Sequence, residues 1–392
     1  MPDAVLALNA GSSSIKFGLF EIGGRDDPVL VSKGVLDDAG FEPRFTAKDP
    51  SGAALTDRRW PAGASHADLL GALLDWVDAH LGTENLVAVG HRVVHGGRDF
   101  ARPVRLTDEA IAAIERLTPL APLHQPRSLE PIRAMAALRP GLPQVGCFDT
   151  AFHHALAPPV SRFAIPRRYE QEGIRRYGFH GLSYEFIARR LRAISPGLAG
   201  KRTVVAHLGS GASLCAMRDG KSVDTTMGFS ALDGLVMGTR CGSLDPGIVL
   251  YLQQAHGLSP TEVEDLLYRS SGLLGVSGVS SDMRLLLASA DPHAAEAVDL
   301  FAFSIARHTA VMANSLGGLE CLVFTGGIGE HAPDIRALAC ERLLWLGAEL
   351  DPLANRDNAG QIGAPASRVD LRVIPTDEEM VIARHTLALI GA

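Results

Sequence analysis

The sequence predicts an α/β protein of two duplicated domains, each a mixed β-sheet flanked by helices. Three observations carry this expectation. The stretch Thr203-Val-Val-Ala-His207-Leu-Gly209-Ser210-Gly211-Ala-Ser213-Leu-Cys-Ala-Met217 reads as strand, tight turn, strand: β-branched residues come first, then glycines that permit backbone angles a side chain would forbid. Val5-Leu-Ala-Leu-Asn9-Ala-Gly11-Ser12-Ser13-Ser14-Ile15-Lys16-Phe17 repeats it with Gly11 on Gly209 and Asn9 on His207, a displacement of 198 residues in a chain of 392. Each half then opens with antiparallel strands and goes on to alternate helix and strand. Such a Gly/Ser turn can present backbone N–H groups to a phosphate, although the same turn also serves as a plain hairpin.

Residues 5–36 form a meander: a strand, the Gly/Ser turn, a strand to Phe20, a turn over Gly23-Gly24-Arg-Asp-Asp-Pro28, and a strand from Val29 to Val35. From Ser65 a helix with Leu69, Leu70, Leu73, Leu74 and Val77 on one face leads to a strand from Leu86 to Val94. Thr107 and Asp108 open a helix through Leu117, and Pro126 and Pro131 punctuate the loop and helix before a short strand from Val145 to Phe148. The composition changes around Asp149 to His154. The domains are therefore set at 1–149, with the terminal helix 380–392 packing back on it, and 150–379.

Arg162, Arg167, Arg168, Arg175 and Arg176 crowd one surface-like stretch, which a plain solvated basic face would explain. Helices start at Ser183, Asp245, Pro260, Pro292 (running to about Leu316), Pro333 and Asp377 (running to Leu389). Residues 204–225 repeat the opening meander with Asp219-Gly220 as the hairpin turn. A third glycine turn, Val323-Phe-Thr325-Gly326-Gly327-Ile-Gly329-Glu330, follows another apolar strand. Two equivalent turns facing each other across a cleft could grip a polyphosphate from both sides, leaving the third for a nucleoside.

The net charge of −7 argues against nucleic acid as a partner, so an anionic substrate must be drawn in by local Arg and Lys or by a metal. Apolar residues make up 46% of the chain with no run long enough to span a bilayer, the pattern of a cytoplasmic globular enzyme without membrane attachment. The N-terminus passes straight into a strand, with no charged-then-apolar leader. Five widely spaced cysteines without a Cys-x-x-Cys pattern read as buried free thiols in a reducing compartment.

Four clusters gather polar groups that a core has little use for: His91-Arg92-Val-Val-His95-Gly-Gly97, Phe148-Asp149-Thr150-Ala-Phe-His153, Tyr177-Gly-Phe-His180-Gly-Leu-Ser-Tyr184, and Met227 through Ala231 to Arg240. With Pro122-Leu-His124-Gln-Pro126, Ser281-Asp282-Met283-Arg284 and Pro375-Thr-Asp-Glu378-Glu379, these segments together resemble the acetate kinase family from residue 5 to 385. The resemblance implies two duplicated actin-like ATPase domains with a nucleotide cleft between them. It also implies reversible Mg²⁺-dependent transfer of the ATP γ-phosphate to acetate, with Mn²⁺ as a substitute metal, and a homodimer.

Position by position, the family implies that Asn9 and Glu378 hold Mg²⁺ through water. ATP would be contacted by Lys16; by His207, Leu208, Gly209, Ser210 and Gly211; by Asp282, Met283 and Arg284; and by Gly327, Ile328, Gly329, Glu330 and His331. Arg92 would bind the acyl carboxylate, with Val94, Leu123 and Phe179 walling its methyl. Asp149, His180 and Arg240 would flank the phosphoryl group in flight, with His124 close by.

Arg, His and a metal suit this chemistry because the transferring phosphoryl group spreads negative charge over its equatorial oxygens. An acetate nucleophile is already ionised at neutral pH, so Asp149 is expected to orient a partner and not to remove a proton. Three positions depart from the family pattern. Ser210 and His331 each stand where asparagine is usual, and Ala231 stands where a proline often backs the acyl pocket, which leaves the acyl preference open. A propionate or butyrate kinase would share every phosphate motif. A nucleotide-driven conformational switch would need no carboxylate clamp of Arg92, His180 and Arg240, and a serine hydrolase at Gly209-Ser210-Gly211 lacks the Gly-x-Ser-x-Gly pattern.

Overall fold

The computed structural model describes residues 3–11, 14–23, 27–37, 43–61, 66–81 and 85–391. Expectations that fall on Ser12 and Ser13 of the first glycine turn, on Gly24-Arg-Asp of the next turn, and on Ser65 as a helix start lie outside the described residues. The chain divides into two compact units, one of Met1–Ala151 with Asp377–Ala392 and one of Phe152–Thr376.

The first unit is built on strands β1 (Ala4–Ala10), β2 (Ser14–Glu21), β3 (Val29–Asp37), β4 (Arg44–Lys48), β5 (Ala54–Arg59), β6 (Leu86–Val93), β7 (Val104–Arg105) and β8 (Gln144–Phe148). Their order in the sheet is β5-β4-β3-β2-β1-β6-β8-β7. All seven residues of β1 are buried, as a central strand covered on both faces requires. Ala4, Leu6, Leu8 and Ala10 pack with Leu69, Leu70, Leu73, Leu74 and Val77 of the helix His66–Leu81, whose Trp76 meets Phe17 and Phe45 edge-on. The alternate face of β1, which carries Asn9, meets the helix Glu378–Ile390. That helix comes so close to β6 that a Cβ on Gly90 would lie 2.2 Å from the Thr386 hydroxyl.

The second unit is built on β9 (Thr203–Leu208), β10 (Ala212–Arg218), β11 (Lys221–Thr225), β12 (Cys321–Thr325) and β13 (Asp370–Val373), in the order β11-β10-β9-β12-β13. Here β9 pairs antiparallel with β10 and parallel with β12, as β1 pairs antiparallel with β2 and parallel with β6. The duplication read from one turn thus extends to a five-stranded mixed sheet in each unit, the first sheet carrying β4, β5 and β7 in addition. Asn9 lies opposite Lys16, and His207 opposite Ser213, so the repeat runs at 198 residues before the turn and 197 after it. The second turn is one residue shorter.

Most helix starts follow local chemistry. Asp245, Ser259 and Asp291 each cap a helix whose first residue is proline, and Ser259 with Glu262 completes a capping box. The 25-residue helix Pro292–Leu316 ends on Gly317 in the left-handed region, φ 71°. The Asp219-Gly220 hairpin has positive φ at both residues, 54° and 71°, as a two-residue turn between twisted strands demands.

Several expectations change. The third glycine segment is not a turn: β12 runs directly into the helix Gly326–His331, with Gly326 at φ 77° and no room for a Cβ, which would lie 2.8 Å from the Leu208 carbonyl. The helix capped by Thr107 stops at Glu115, short of Leu117. Strands β4 and β5 are not among the expected elements: β4 is only five residues long, and β5 is mostly exposed and shows no apolar alternation. The basic stretch is only partly a solvated face: Arg176 donates to the carbonyls of Thr225, Thr226 and Met227, and Arg175 to that of Leu156. Among the described residues no helix is long and apolar enough to cross a membrane.

Candidate active site

In the first unit the polar side chains gather at the ends of β1, β6 and β8. Arg92, on β6, presents its guanidinium edge to Asp149 just past β8: Nε lies 2.9 Å and Nη2 2.5 Å from Oδ2. Its Nη1 donates to Asn9 Oδ1 (3.3 Å) and to the Ala10 carbonyl (3.2 Å), which leaves one Nη2 hydrogen for a ligand. Asp149 is fully buried. Burial pulls the Arg92 guanidinium down, but the carboxylates of Asp149, Glu378 and Glu379 outweigh it and hold the group above its usual value. Asp149 therefore sits as an orienting anion against a permanent cation.

Asn9 donates through Nδ2 to Glu378 (2.8 Å) and to Glu379 (2.8 Å), the first two residues of the helix Glu378–Ile390. Carboxylates at a helix N-terminus are favoured by the helix dipole. Burial, then the neighbouring charge of Glu378, raises the Glu379 carboxyl above its ordinary value, with Asn9 and Lys16 acting in the opposite sense. Two crowded carboxylates and an amide suit a hard divalent cation that keeps most of its waters. The Asn9 amide nitrogen faces the acids while its oxygen faces Arg92, so Mg²⁺ held here would meet Asn9 through water. Among the described residues no group of three His, Cys, Asp or Glu is placed to cage a metal ion by itself.

Val94 is buried and Leu123 half-buried. The Ser128 hydroxyl ties Val94 to His124, accepting from Val94 N and donating to the His124 carbonyl, both at 3.3 Å. Gln125, whose role leaves no signal in the sequence, holds the backbone of His95 through both ends of its amide. Burial lowers the imidazoles of His91 and His95 to about 4, as expected of neutral core groups. Lys16 is exposed on β2.

In the second unit the helix Gly181–Ile194 covers the face of β9 and β10 that carries Val205, His207, Ser213, Cys215 and Met217. His180 precedes this helix with φ 57°, a strained region for a residue with a side chain. It is pinned from both sides. Gly178 leaves no room for a Cβ, which would lie 2.6 Å from both His153 and Thr225, and His153 Nε2 bonds the Phe179 carbonyl at 3.0 Å while its Nδ1 meets Ser222. Burial lowers His153 to about 4, so it too is neutral.

The His180 and His207 rings stack with centroids 4.3 Å apart. Over the second glycine turn, a Cβ on Gly211 would lie 2.5 Å from Arg240 Nη2 and 3.4 Å from His180 Nε2. Arg240 is anchored by Nη1 on the Ala231 carbonyl at 2.6 Å, and Gly238 N bonds the Ser210 carbonyl, seating the Arg240 segment on the turn. A guanidinium, an imidazole and turn backbone thus converge on one point, an arrangement fitted to an anionic phosphoryl group.

The remaining expected nucleotide residues divide. A Cβ on Gly327 would meet nothing within 4 Å, so the start of its helix faces open space. The Glu330 carboxylate, by contrast, accepts from Gly326 N (2.8 Å) and Thr376 N (3.1 Å) and works as a backbone strut. Arg336, fully buried and unmarked by any sequence signal, bonds the Gly329 and Glu330 carbonyls. Asp282 caps the helix Met283–Leu287 and pairs with the exposed Arg284, while Met283 itself is buried.

A model of the acetokinase family matches residues 4–384. An acetate kinase of Rhodopseudomonas palustris is 53% identical over 395 residues, covering 99% of each chain, and one of Rhizobium meliloti is 49% identical over 393 residues, covering 100% of this chain and 99% of the other. Among solved structures, a propionate kinase from Francisella tularensis superposes with TM-score 0.90 at 36% identity over 98% of both chains. Acetate kinase from Porphyromonas gingivalis gives 0.84 at 34% identity, covering 99% of this chain and 100% of the other.

Proposed function

The chain belongs to the acetokinase family, and from that premise we propose that it transfers the γ-phosphoryl group of ATP reversibly to acetate, giving acetyl phosphate and ADP by direct in-line displacement. The observation that carries this reading is the convergence of Arg240 and His180 on Gly211. In the forward direction an acetate oxygen attacks the γ-phosphorus as the bond to the ADP oxygen breaks, and charge grows on the equatorial oxygens. Arg240 and His180 would meet those oxygens, and an arginine so placed contributes about a thousandfold in rate or more.

Arg92, held by Asp149, would receive the acetate carboxylate through its remaining Nη2 hydrogen, with Val94, Leu123 and Phe179 around the methyl and His124 nearby. Asn9 and Glu378 would hold Mg²⁺ or Mn²⁺ through water, and when bound the metal supplies positive charge to the phosphates. Lys16, residues 207–211, Asp282 to Arg284 and Gly327 to His331 would line the nucleotide. For Glu330 that role falls to its backbone, because its carboxylate is already engaged. We place the enzyme in the cytoplasm as a homodimer, without nucleic-acid or membrane partners. The helix Pro246–Ala255 has no buried residue and exposes Ile248, Leu250 and Tyr251, a face suited to a second copy.

A second reading, propionate or butyrate as acceptor, is favoured by Ala231, which leaves more room than the proline usual there. Release of ADP measured with acetate, propionate, butyrate and no acid separates these readings. Strong stimulation by acetate is expected. Equal release with and without any carboxylic acid would instead indicate a nucleotide switch.

A further inference from the structure

We propose that the buried hydroxyls of Tyr184 and Ser213 hold His180 as its neutral Nε2–H tautomer, which makes both of them positioning residues for the imidazole that faces the phosphoryl group. The inference rests on the phosphoryl-transfer reading given above for His180 and adds the groups that set its proton.

Counting protons decides the direction of the chain. Tyr184 and Ser213 are both fully buried, and their oxygens lie 2.5 Å apart. Ser213 Oγ lies 2.8 Å from His180 Nδ1. Burial, with Cys215 adding to it, raises the Tyr184 phenol well above its usual value, so it keeps its proton. Among the described residues the Tyr184 hydroxyl makes one hydrogen bond, to Ser213. If it donates there, the Ser213 proton turns to His180 Nδ1 and both buried hydroxyl protons find acceptors. If His180 Nδ1–H donates to Ser213 instead, either the phenol proton or the serine proton is stranded in a dry site, which costs the full desolvation of a buried donor.

Nδ1 is therefore the acceptor and Nε2 carries the hydrogen, on the side of the ring that faces Gly211 and Arg240. The charged groups around the ring agree with a neutral imidazole. Arg240 brings a permanent cation to the Nε2 side, which disfavours a second positive charge on the ring. His207 is held alike: its Nδ1 meets Ser183 Oγ at 2.8 Å, and Ser183 meets Thr376 Oγ1 at 2.9 Å. Each imidazole is thus seated by a serine from the other's element, Ser183 from the helix that follows His180 and Ser213 from the strand that pairs with His207. An N–H donor fixed beforehand in this way costs no reorganisation when charge develops on the phosphoryl oxygens.

The test uses the full-length protein labelled with ¹⁵N-histidine, the His180 signals being assigned by their loss in His180→Gln. The expected spectrum has a pyridine-like Nδ1 and a pyrrole-like Nε2. Ser213→Ala and Tyr184→Phe should each give a mixture of tautomers, with kcat about tenfold lower and the KM values for ATP and acetate within about twofold. A protonated Nδ1 in the wild-type protein, or kcat unchanged in a variant whose tautomer is lost, would overturn the proposal. The wild-type spectrum decides the tautomer even if a variant fails to fold. If His180→Gln keeps full activity while the wild-type tautomer is as stated, the phosphoryl-transfer role of His180 fails and the tautomer assignment is supported.

Discussion

The two glycine turns occupy equivalent corners of equivalent sheets, yet they are dressed in opposite chemistry. At the first, Asn9 and Lys16 face each other across β1 and β2, and the covering helix begins with Glu378 and Glu379. At the second, His207 and Ser213 take the same two positions, and the covering helix Gly181–Ile194 has no acid in its first turn. A helix N-terminus loaded with carboxylates suits a cation, and one left without them suits a phosphate. The backbone of the duplication conserves how side chains are presented. Which ion each corner suits is decided by a few residues on the neighbouring helix.

The sharpest way to break this comparison is to remove charge from the second corner. Arg240→Ala should lower kcat about a thousandfold while leaving the KM for ATP within severalfold, because the cation is needed mainly in the transition state. A loss confined to KM would make Arg240 a ground-state binding group and the second corner a plain binding site. At the first corner, Asp149→Asn should cost about a hundredfold at every pH without removing an acidic limb from the kcat profile, since Arg92 loses its orienting anion and no proton transfer is lost. Disappearance of such a limb in the variant would instead assign Asp149 as a general base.

A smaller change probes the second turn by crowding. Gly211→Ala places a methyl where Arg240 and His180 converge, and the flexible end of Arg240 yields first. Folding should survive, and kcat should fall about tenfold through displacement of the guanidinium by a fraction of an ångström. Wild-type kcat would show that Arg240 is not seated on the turn during turnover.

The smallest effect belongs to the acids of the first corner. A carboxyl raised on folding, as Glu379 is, binds its proton more tightly in the native state and opposes folding once the pH rises past its unfolded value. Glu379→Gln should therefore raise Tm at neutral pH by about 1–3 °C without Mg²⁺, a gain that fades as the pH falls through the carboxylate range. Added Mg²⁺ should narrow the difference by offsetting the repulsion in the wild type. A gap unmoved by Mg²⁺ would argue that no cation settles beside Glu378.

The sequence by itself determined the elements whose signals are local. Asp245, Ser259 and Asp291, each followed by proline, mark helix starts because a cap bonds groups two or three residues away. The buried strands β1 and β9 and the positive-φ Asp219-Gly220 hairpin are equally local, and the order of the polar motifs was enough to identify the family. Tertiary structure alone decided who partners whom within each unit. Asn9 meets Glu378 across 369 residues of chain, Arg92 meets Asp149 across 57, and Ser213 reaches His180 across 33. Ser213 looks like any strand serine, Gln125 and Arg336 like ordinary helix residues, and Glu379 like a mere neighbour of Glu378. Their roles follow from sheet register and from which helix covers which face, and a side chain's neighbours across a fold leave no trace in its neighbours along the chain.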